Sequence, residues 1–381
     1  MNDKTIFIIP FALPWDRSAD YQRQTCFELA KKYQVVAYMQ RDAIFLLKAQ
    51  FYKKTFKYPT HKNITFYRPL FVIPFRRIKI IDNINQIVSY ILFQLFFIRT
   101  HLCILWVFDP IFYLFPKLTH GISIYDCVDY HAGYCTGIKR IEIEIQERIL
   151  IHAVDYFFVN SHTLNEIHTL VRKPDAIVPQ GFRLNEFQHT VKISVRVPQD
   201  KPIIGYVGAL DHRLDWVLLE TLMRNNPQWI FVLWGPVVND EEHDETSINK
   251  RLCTIFQLPN VITGKSSDRR KISAIIQQFT IGIIPQLFSL SGVRQSYPMK
   301  LFEYFYMGKP VVSTPIEELR RFSRYVYFGK TVKELESHIH RILFSVWSLQ
   351  YQREQKKLAI ANSWRAKVYT IMKIIEQDQR S

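Results

Sequence analysis

Short apolar runs alternate with helical patterns along the chain. Residues 4–10 (KTIFIIP) read as a first strand, 19–32 as a helix with Cys26, Leu29 and Ala30 on one side, and 34–38 as a second strand. A strand at 64–67 is followed by an apolar helix at 82–98 and by buried-looking strands at 104–108 (ILWVF) and 122–125. Ile141, Ile145 and Ile149 recur every four residues and predict a helix over 139–152. A strand follows at 156–159, and Ser161 is suited to cap the helix after it.

From 189 to 202 no period is visible, and Pro198 and Pro202 interrupt the chain, so the linker is placed there. The alternation then restarts. Strands are expected at 203–207, 229–234, 260–262, 281–285 and 310–313, with helices at 215–225, 273–278 and 299–307. From 331 onward the chain reads as helical and strongly charged. Strands alternating with helices imply parallel sheets with crossover helices. The expected fold is therefore α/β, with Rossmann-like domains over 1–190 and 200–350 and a helical tail over 351–381. In open α/β sheets ligands sit beyond the carboxyl ends of the strands, so the loops there are where chemistry is to be sought.

Composition narrows the class. Of 381 residues, 48% are apolar and 22% charged, which excludes disorder, collagen and coiled coil as whole-chain readings. The formal charge of +16 divides evenly at residue 200, with 25 basic and 17 acidic residues on each side. A balance of this kind favours anionic partners without choosing among them. Five cysteines without a C-x-x-C pair fit a reducing compartment. The first ten residues lack a signal-peptide pattern, and the most apolar window, 87–98, is shorter than the ~20 residues that span a bilayer. A cytoplasmic protein is expected, peripheral on the inner face of the membrane.

Several chemistries find no signature. There is no G-x-G-x-x-G, no G-x-x-x-x-G-K-[ST] and no G-x-S-x-G. The acidic run 240–245 reads as a solvated loop, and His338 and His340 face different sides of a helix, so no metal site is expected. The segment 295–315 (QSYPMKLFEYFYMGKPVVSTP) is more informative. Pro298 opens a helix whose first turn would turn backbone N–H groups toward an anion such as a diphosphate. Glu303 lies about one turn inside, where a carboxylate can accept from paired sugar hydroxyls, and Gly308 ends the helix. An ordinary αβ unit with Glu303 on its surface is the competing reading.

This segment resembles the donor-binding region of GT-B glycosyltransferases, in particular the retaining "glycosyltransferase group 1" enzymes with their E-x7-E motif. Glu303 falls on the second Glu, which in that family holds the nucleotide ribose; Gln295 replaces the first, which contacts the donor sugar, and can still hydrogen-bond hydroxyls. Gly308, Pro310, Val311 and Val312 match the end of the motif. Other segments are similar to the polysaccharide-assembly branch: Pro14-Trp15-Asp16 with Arg23-Gln24, the Y-D-x-x-D stretch at 124–129, DYFFVNS at 155–161, VPQG at 178–181, and the G-Y-x-G strand at 204–210. Pro259, Gly264 and Pro285 follow in order, and the resemblance covers roughly residues 4–320.

The resemblance implies a two-domain GT-B fold, with the domains facing across a cleft and C-terminal helices packing back toward the N-terminal domain. It implies hexosyl transfer from a nucleotide sugar, with no cofactor and no metal. Donor contacts are expected from Gly208, Arg213, Lys265, Gln295, Lys300, Leu301 and Glu303. Ala209 occupies the family's usual Arg slot, so Arg213 is the expected diphosphate contact. Asp129 and His131, after a buried strand, are the catalytic candidates on the acceptor side, beside Arg213. The stretch 48–79 carries nine Lys or Arg, no Asp or Glu, and interleaved Phe and Tyr. That pattern fits anionic lipid, a solvated face over buried aromatics, or single-stranded nucleic acid. Lipid is natural for a family with many lipid-linked acceptors, and nucleic acid is not expected. The rivals are a GT-B nucleotide-sugar epimerase and a non-catalytic membrane or nucleic-acid binding module on a degenerate GT-B scaffold.

Overall fold

In a computed structural model, the described residues are 5–13, 15, 20–40, 61–69, 78–98, 101–188, 197–238, 245–265, 270–290, 293 and 297–379. The chain divides into two compact units, Met1–Gln180 with Lys367–Ser381, and Gly181–Ala366. The boundary at Gly181 precedes the loosely patterned stretch at 189–202. Phe182 forms a bridge with Ser363, and Phe187 and Val197 join the second unit's core. Phe182, Phe187 and Val197 therefore pack with the second sheet.

The first unit holds β1 (Ile6–Phe11), β2 (Gln34–Met39), β3 (Ile64–Tyr67), β4 (Cys103–Val107), β5 (Gly121–Cys127), β6 (Tyr156–Val159) and β7 (Ala176–Ile177). All pairs are parallel and the order is β3-β2-β1-β4-β5-β6-β7. Buried strands of this kind carry apolar residues on both faces. Phe7, Val35, Ile104 and Ile124 pack on one side, with four residues of the last helix, Trp364–Asp378 (Val368, Ile371, Met372 and Ile375). Ile8, Val36, Leu105 and Tyr125 pack on the other. There they meet α2 (Lys79–Phe93) and α3 (Gly137–Ala153), and α4 (His162–Thr169) adds Leu164; α1 (Asp20–Ala30) lies against the first face. Ser161 caps α4, accepting from the Leu164 N–H at 3.1 Å.

Two helices differ from the sequence reading. In α3 the isoleucines at 141 and 145 are exposed, whereas Glu147, Leu150 and Ile151 are buried. Only Ile149 of the apolar period packs against the core, and Glu147 is buried there through a hydrogen bond from the Tyr125 hydroxyl. The apolar helix after β3 is longer than the 87–98 window. Ile80–Ile98 runs for 19 residues, ending in a π turn at Gln94–Ile98, and by length and composition it is apolar enough to cross a membrane.

The second unit repeats the architecture with β8 (Ile203–Val207), β9 (Ile230–Trp234), β10 (Val261–Gly264), β11 (Ile281–Ile284), β12 (Val311–Ser313) and β13 (Val326–Phe328). Its order is β10-β9-β8-β11-β12-β13, again all parallel. Its longer helices are α5 (Trp216–Asn225), α6 (Glu245–Phe256), α7 (Arg270–Gln277), α8 (Lys300–Tyr306), α9 (Val332–Leu343) and α10 (Leu349–Ala361). Both sheets reverse strand order about their first strand, which makes the loops after β1 and β4, and after β8 and β11, the ligand-binding positions of the architecture.

Candidate functional site

At the switch point of the second sheet, backbone hydrogen bonds stitch three loops together. Gly208 follows β8 with φ +140°, and its N–H donates to the Trp234 carbonyl at 3.0 Å. The Gly235 N–H donates to the Gly264 carbonyl at 2.8 Å, so the ends of β8, β9 and β10 are tied in sequence. A Cβ at Gly235 would lie 1.8 Å from the Gly208 carbonyl oxygen, so these loops approach as only glycine allows. On the other side of β8, the Leu287 N–H donates to the Arg213 carbonyl at 2.8 Å, and Leu214 bridges Gln286 after β11.

Two cations stand over this frame. Asp211, buried, accepts from Arg213 Nε at 3.1 Å and from Nη2 at 2.6 Å, which fixes the guanidinium while 43% of its side chain faces solvent. Lys300 opens α8 half-buried, with Nζ 5.1 Å from the centre of the Tyr206 ring. A Cβ at Gly208 would meet Lys300 Cε at 3.3 Å. Burial pushes the Lys300 ammonium down to about 8, and the positive charge of Arg213 pushes in the same direction, against Glu303 and Asp211. The two cations thus act on one another, each beside a carboxylate that opposes the effect.

Helix α8 is short, seven residues, and held from below. The Tyr304 hydroxyl accepts from the Val207 N–H at 3.1 Å and reaches the carbonyls of Gly205 and Ile283 at 3.3 Å each. Burial raises its pKa far above that of an ordinary tyrosine. Leu301 is fully buried and its N–H donates to the Pro298 carbonyl at 3.2 Å; the Phe302 N–H is taken by Met299 at 3.0 Å. The first turn is thus partly satisfied internally. Glu303 is buried and acts electrostatically on Lys300, Tyr206 and Tyr304. Gly308 ends the helix with φ +66°.

Gly208, Arg213, Lys300, Leu301 and Glu303 are therefore brought together around the end of β8. Lys265 is exposed at the end of β10, and Gln295 lies outside the described residues. Asp211, Tyr206 and Tyr304 belong to the same arrangement and are not among the residues singled out from sequence. The only sequence signal for Asp211 is a carboxylate two positions before the candidate arginine.

In the first unit, Asp129 and His131 follow β5. His131 Nε2 lies 3.1 Å from the Phe108 carbonyl after β4, and the His131 N–H donates to the Asp129 carbonyl at 3.1 Å. The ring of Tyr21 packs 5.2 Å from that of Phe108, and burial first, then Asp129 and Asp109, raises its pKa. Two carboxylates, a histidine and a phenol thus gather near the ends of β4 and β5.

Among the described residues, Cys127, Glu147 and His168 are the one group of metal-ligating type whose donor atoms lie within 4.8 Å of one another. All three are buried. Sγ of Cys127 is 3.6 Å from both Glu147 Oε1 and His168 Nε2, and Tyr125 donates to Glu147 at 2.5 Å. These contacts satisfy the four side chains mutually, as a buried polar cluster requires. Sequence reading missed the cluster because its members are up to 41 positions apart. The acidic run at 240–244 lies outside the described residues.

The two sheets and their loops define the GT-B fold, and the chain resembles GT-B glycosyltransferases of the group 1 kind in both sequence and structure. No family model matches the chain. It is 24% identical over 291 residues to TuaH of Bacillus subtilis (strain 168), by name a teichuronic acid biosynthesis glycosyltransferase, with 71% of each chain covered. Sucrose-phosphate synthase (tll1590) from Thermosynechococcus elongatus superposes with a TM-score of 0.71 at 15% identity, over 98% of both chains. Anabaena Alr3699/HepE, solved in complex with UDP and glucose, gives 0.66 at 11% identity over 100% of both.

Proposed function

We propose that this chain is a glycosyltransferase that moves a hexose from a nucleotide-sugar donor to a saccharide or lipid-linked acceptor in polysaccharide or glycan assembly. The observation that carries the reading is that Arg213, held by Asp211 at 2.6 Å, and Lys300, packed against Gly208, are near enough for the charge of Arg213 to act on Lys300. A diphosphate leaving group gathers charge as the glycosidic bond breaks, and fixed cations in a partly dry site stabilise that charge. Asp211 holds Arg213 in place for the purpose. Glu303 takes the ribose hydroxyls. The name of TuaH supports the polysaccharide context, and the UDP and glucose named with HepE support a nucleotide-sugar donor.

In the proposed step the bond from the anomeric carbon to the diphosphate oxygen breaks and its electron pair leaves with the diphosphate. The acceptor hydroxyl oxygen forms the new bond on the face the leaving group vacates, so configuration is retained. Its proton passes to the departing diphosphate, while Asp129 and His131 position the acceptor. No metal is required, because Arg213 and Lys300 supply the positive charge. The protein works at the cytoplasmic face of a membrane, against an anionic surface. The basic stretch 48–79 contributes to that contact and mostly lies outside the described residues.

Turnover tests the proposal. UDP-, GDP-, ADP- and TDP-sugars are offered with and without a membrane-extracted acceptor, and nucleotide release and sugar identity are followed. Acceptor-dependent release of nucleoside diphosphate, lost in Arg213→Ala, is the expected result. Isomerised sugar without acceptor makes the protein an epimerase. Binding without release under every condition makes it a non-catalytic scaffold.

A further inference from the structure

The helix from Ile80 to Ile98 has its polarity reversed with respect to a water-facing helix. Every exposed position in it is apolar: Ile80, Ile84, Val88, Ile91, Leu95, Phe96 and Phe97. Of its seven buried positions four are polar: Asn85, Gln86, Ser89 and Gln94. Gln94 donates to the Tyr90 hydroxyl at 2.9 Å, and Gln86 donates to Asp82 at 2.9 Å. The helix therefore satisfies its polar groups inward and presents hydrocarbon outward. A surface helix in water does the opposite.

The exposed set is continuous. Ile80, Ile84, Val88, Ile91 and Leu95 repeat every three or four residues and share one side of the helix. Ile80 is 71% exposed and Leu95 62%. On the same face of the first sheet, α3 also turns apolar residues outward: Ile138, Ile141 and Ile145. Monomeric proteins in water rarely leave such surface uncovered.

Charge identifies the occupant. The sequence running into this helix, 48–79, has nine Lys or Arg and no Asp or Glu, and Lys62 and Arg68 are exposed on the described part. Cations that lead in sequence into an outward hydrocarbon face match an anionic lipid surface, where each basic residue adds about 1 kcal/mol. A spanning helix is disfavoured, because one side packs on the sheet through Tyr90, Phe93 and Ile98. A helix half in protein and half in hydrocarbon lies in the plane of the interface.

We infer that Ile80–Ile98 is an in-plane membrane anchor, with its Ile80-to-Leu95 side sunk into the acyl boundary of an anionic leaflet. The inference does not depend on sugar transfer, and its measurement involves no turnover.

The full chain is sedimented with vesicles of phosphatidylcholine alone and of phosphatidylcholine with phosphatidylglycerol. The wild type pellets with the anionic vesicles, and high salt with alkaline carbonate releases it. Ile80→Ser/Ile84→Ser/Leu95→Ser, at exposed positions, binds at least about tenfold more weakly with an unchanged melting temperature. Lys53→Glu/Lys54→Glu/Lys57→Glu also weakens binding. Wild-type affinity in the serine variant overturns the inference, and so does retention through carbonate, which marks a spanning segment. A lipid-free dimer that the serine variant dissociates, with no vesicle binding by the wild type, assigns the face to a second copy and also overturns it.

Discussion

Lys367 and Asp126 stand 241 positions apart in the chain and form an ion pair at 2.8 Å with both side chains fully buried. Lys367 Nζ also donates to the Val178 carbonyl at 3.1 Å, and Trp106 donates to the second Asp126 oxygen at 3.3 Å. Burial pushes the Asp126 carboxyl up, and the ammonium opposes it. The last helix is thereby locked to the centre of the first sheet. Removing one partner leaves a buried charge uncompensated. Lys367→Met is expected to cost about 3–5 kcal/mol in urea unfolding. Asp126→Asn with Lys367→Met is expected to recover most of that loss.

Gly235 is the tightest point of the donor-side frame. A Cβ there meets the Gly208 carbonyl at 1.8 Å, a backbone atom that cannot swing away. Gly208→Ala meets the Tyr206 hydroxyl at 2.9 Å and adds strain at φ +140°. Gly235→Ala is therefore expected to abolish the native melting transition in calorimetry. Gly208→Ala is expected to lower it and to weaken nucleotide binding.

His168 sets an acid limit. Burial lowers its pKa, with Glu147 opposing, so the native state holds it neutral. Below about pH 6.5 the unfolded chain binds a proton that the native state resists. Stability is then expected to fall as pH drops through that range and to level off above it. In His168→Gln, unfolding followed from about pH 7 to 5 should show a shallower decline.

Lys300 makes donor affinity and stability diverge in mild alkali. Its ammonium is pushed down to about 8 from 10.5. Between those values the unfolded state binds more protons, so this group's contribution to stability rises with pH. The cation proposed to hold the diphosphate is lost over the same range. Titration calorimetry with a nucleoside diphosphate should show affinity falling above about pH 8 in the wild type and little change in Lys300→Arg, whose charge persists. A flat wild-type profile removes Lys300 from the site.

The alternation of apolar runs was enough to read two parallel α/β units, because fully buried strands leave uninterrupted signatures such as ILWVF before Asp109. The two-residue β7 carries too few residues to stand out, and β13 falls in a stretch for which no strand is expected. In α3 two of the three spaced isoleucines point outward, and a hydrogen bond allows Glu147, off that spacing, to be buried. At the site, Arg213, Lys300 and Glu303 are expected chiefly from the resemblance to the GT-B donor region. Asp211, Tyr206 and Tyr304 could not be named from sequence, since their roles arise from strands and a helix that meet only in the fold. The reversed polarity of Ile80–Ile98 was hidden for the same reason. From sequence the segment is only an apolar helix, and the sheet shows which side is covered.

The central claim is that the second unit holds a nucleoside diphosphate between Arg213, Lys300 and Glu303. A thermal-shift screen of the full chain against UDP, GDP, ADP, CMP and TDP, repeated on Glu303→Ala, tests it directly. A ligand at 100 times its dissociation constant adds about 2.7 kcal/mol of stability. The account predicts a clear upward shift with one nucleoside diphosphate and its loss in Glu303→Ala. No shift with any nucleotide, or a shift that survives in Glu303→Ala, contradicts it.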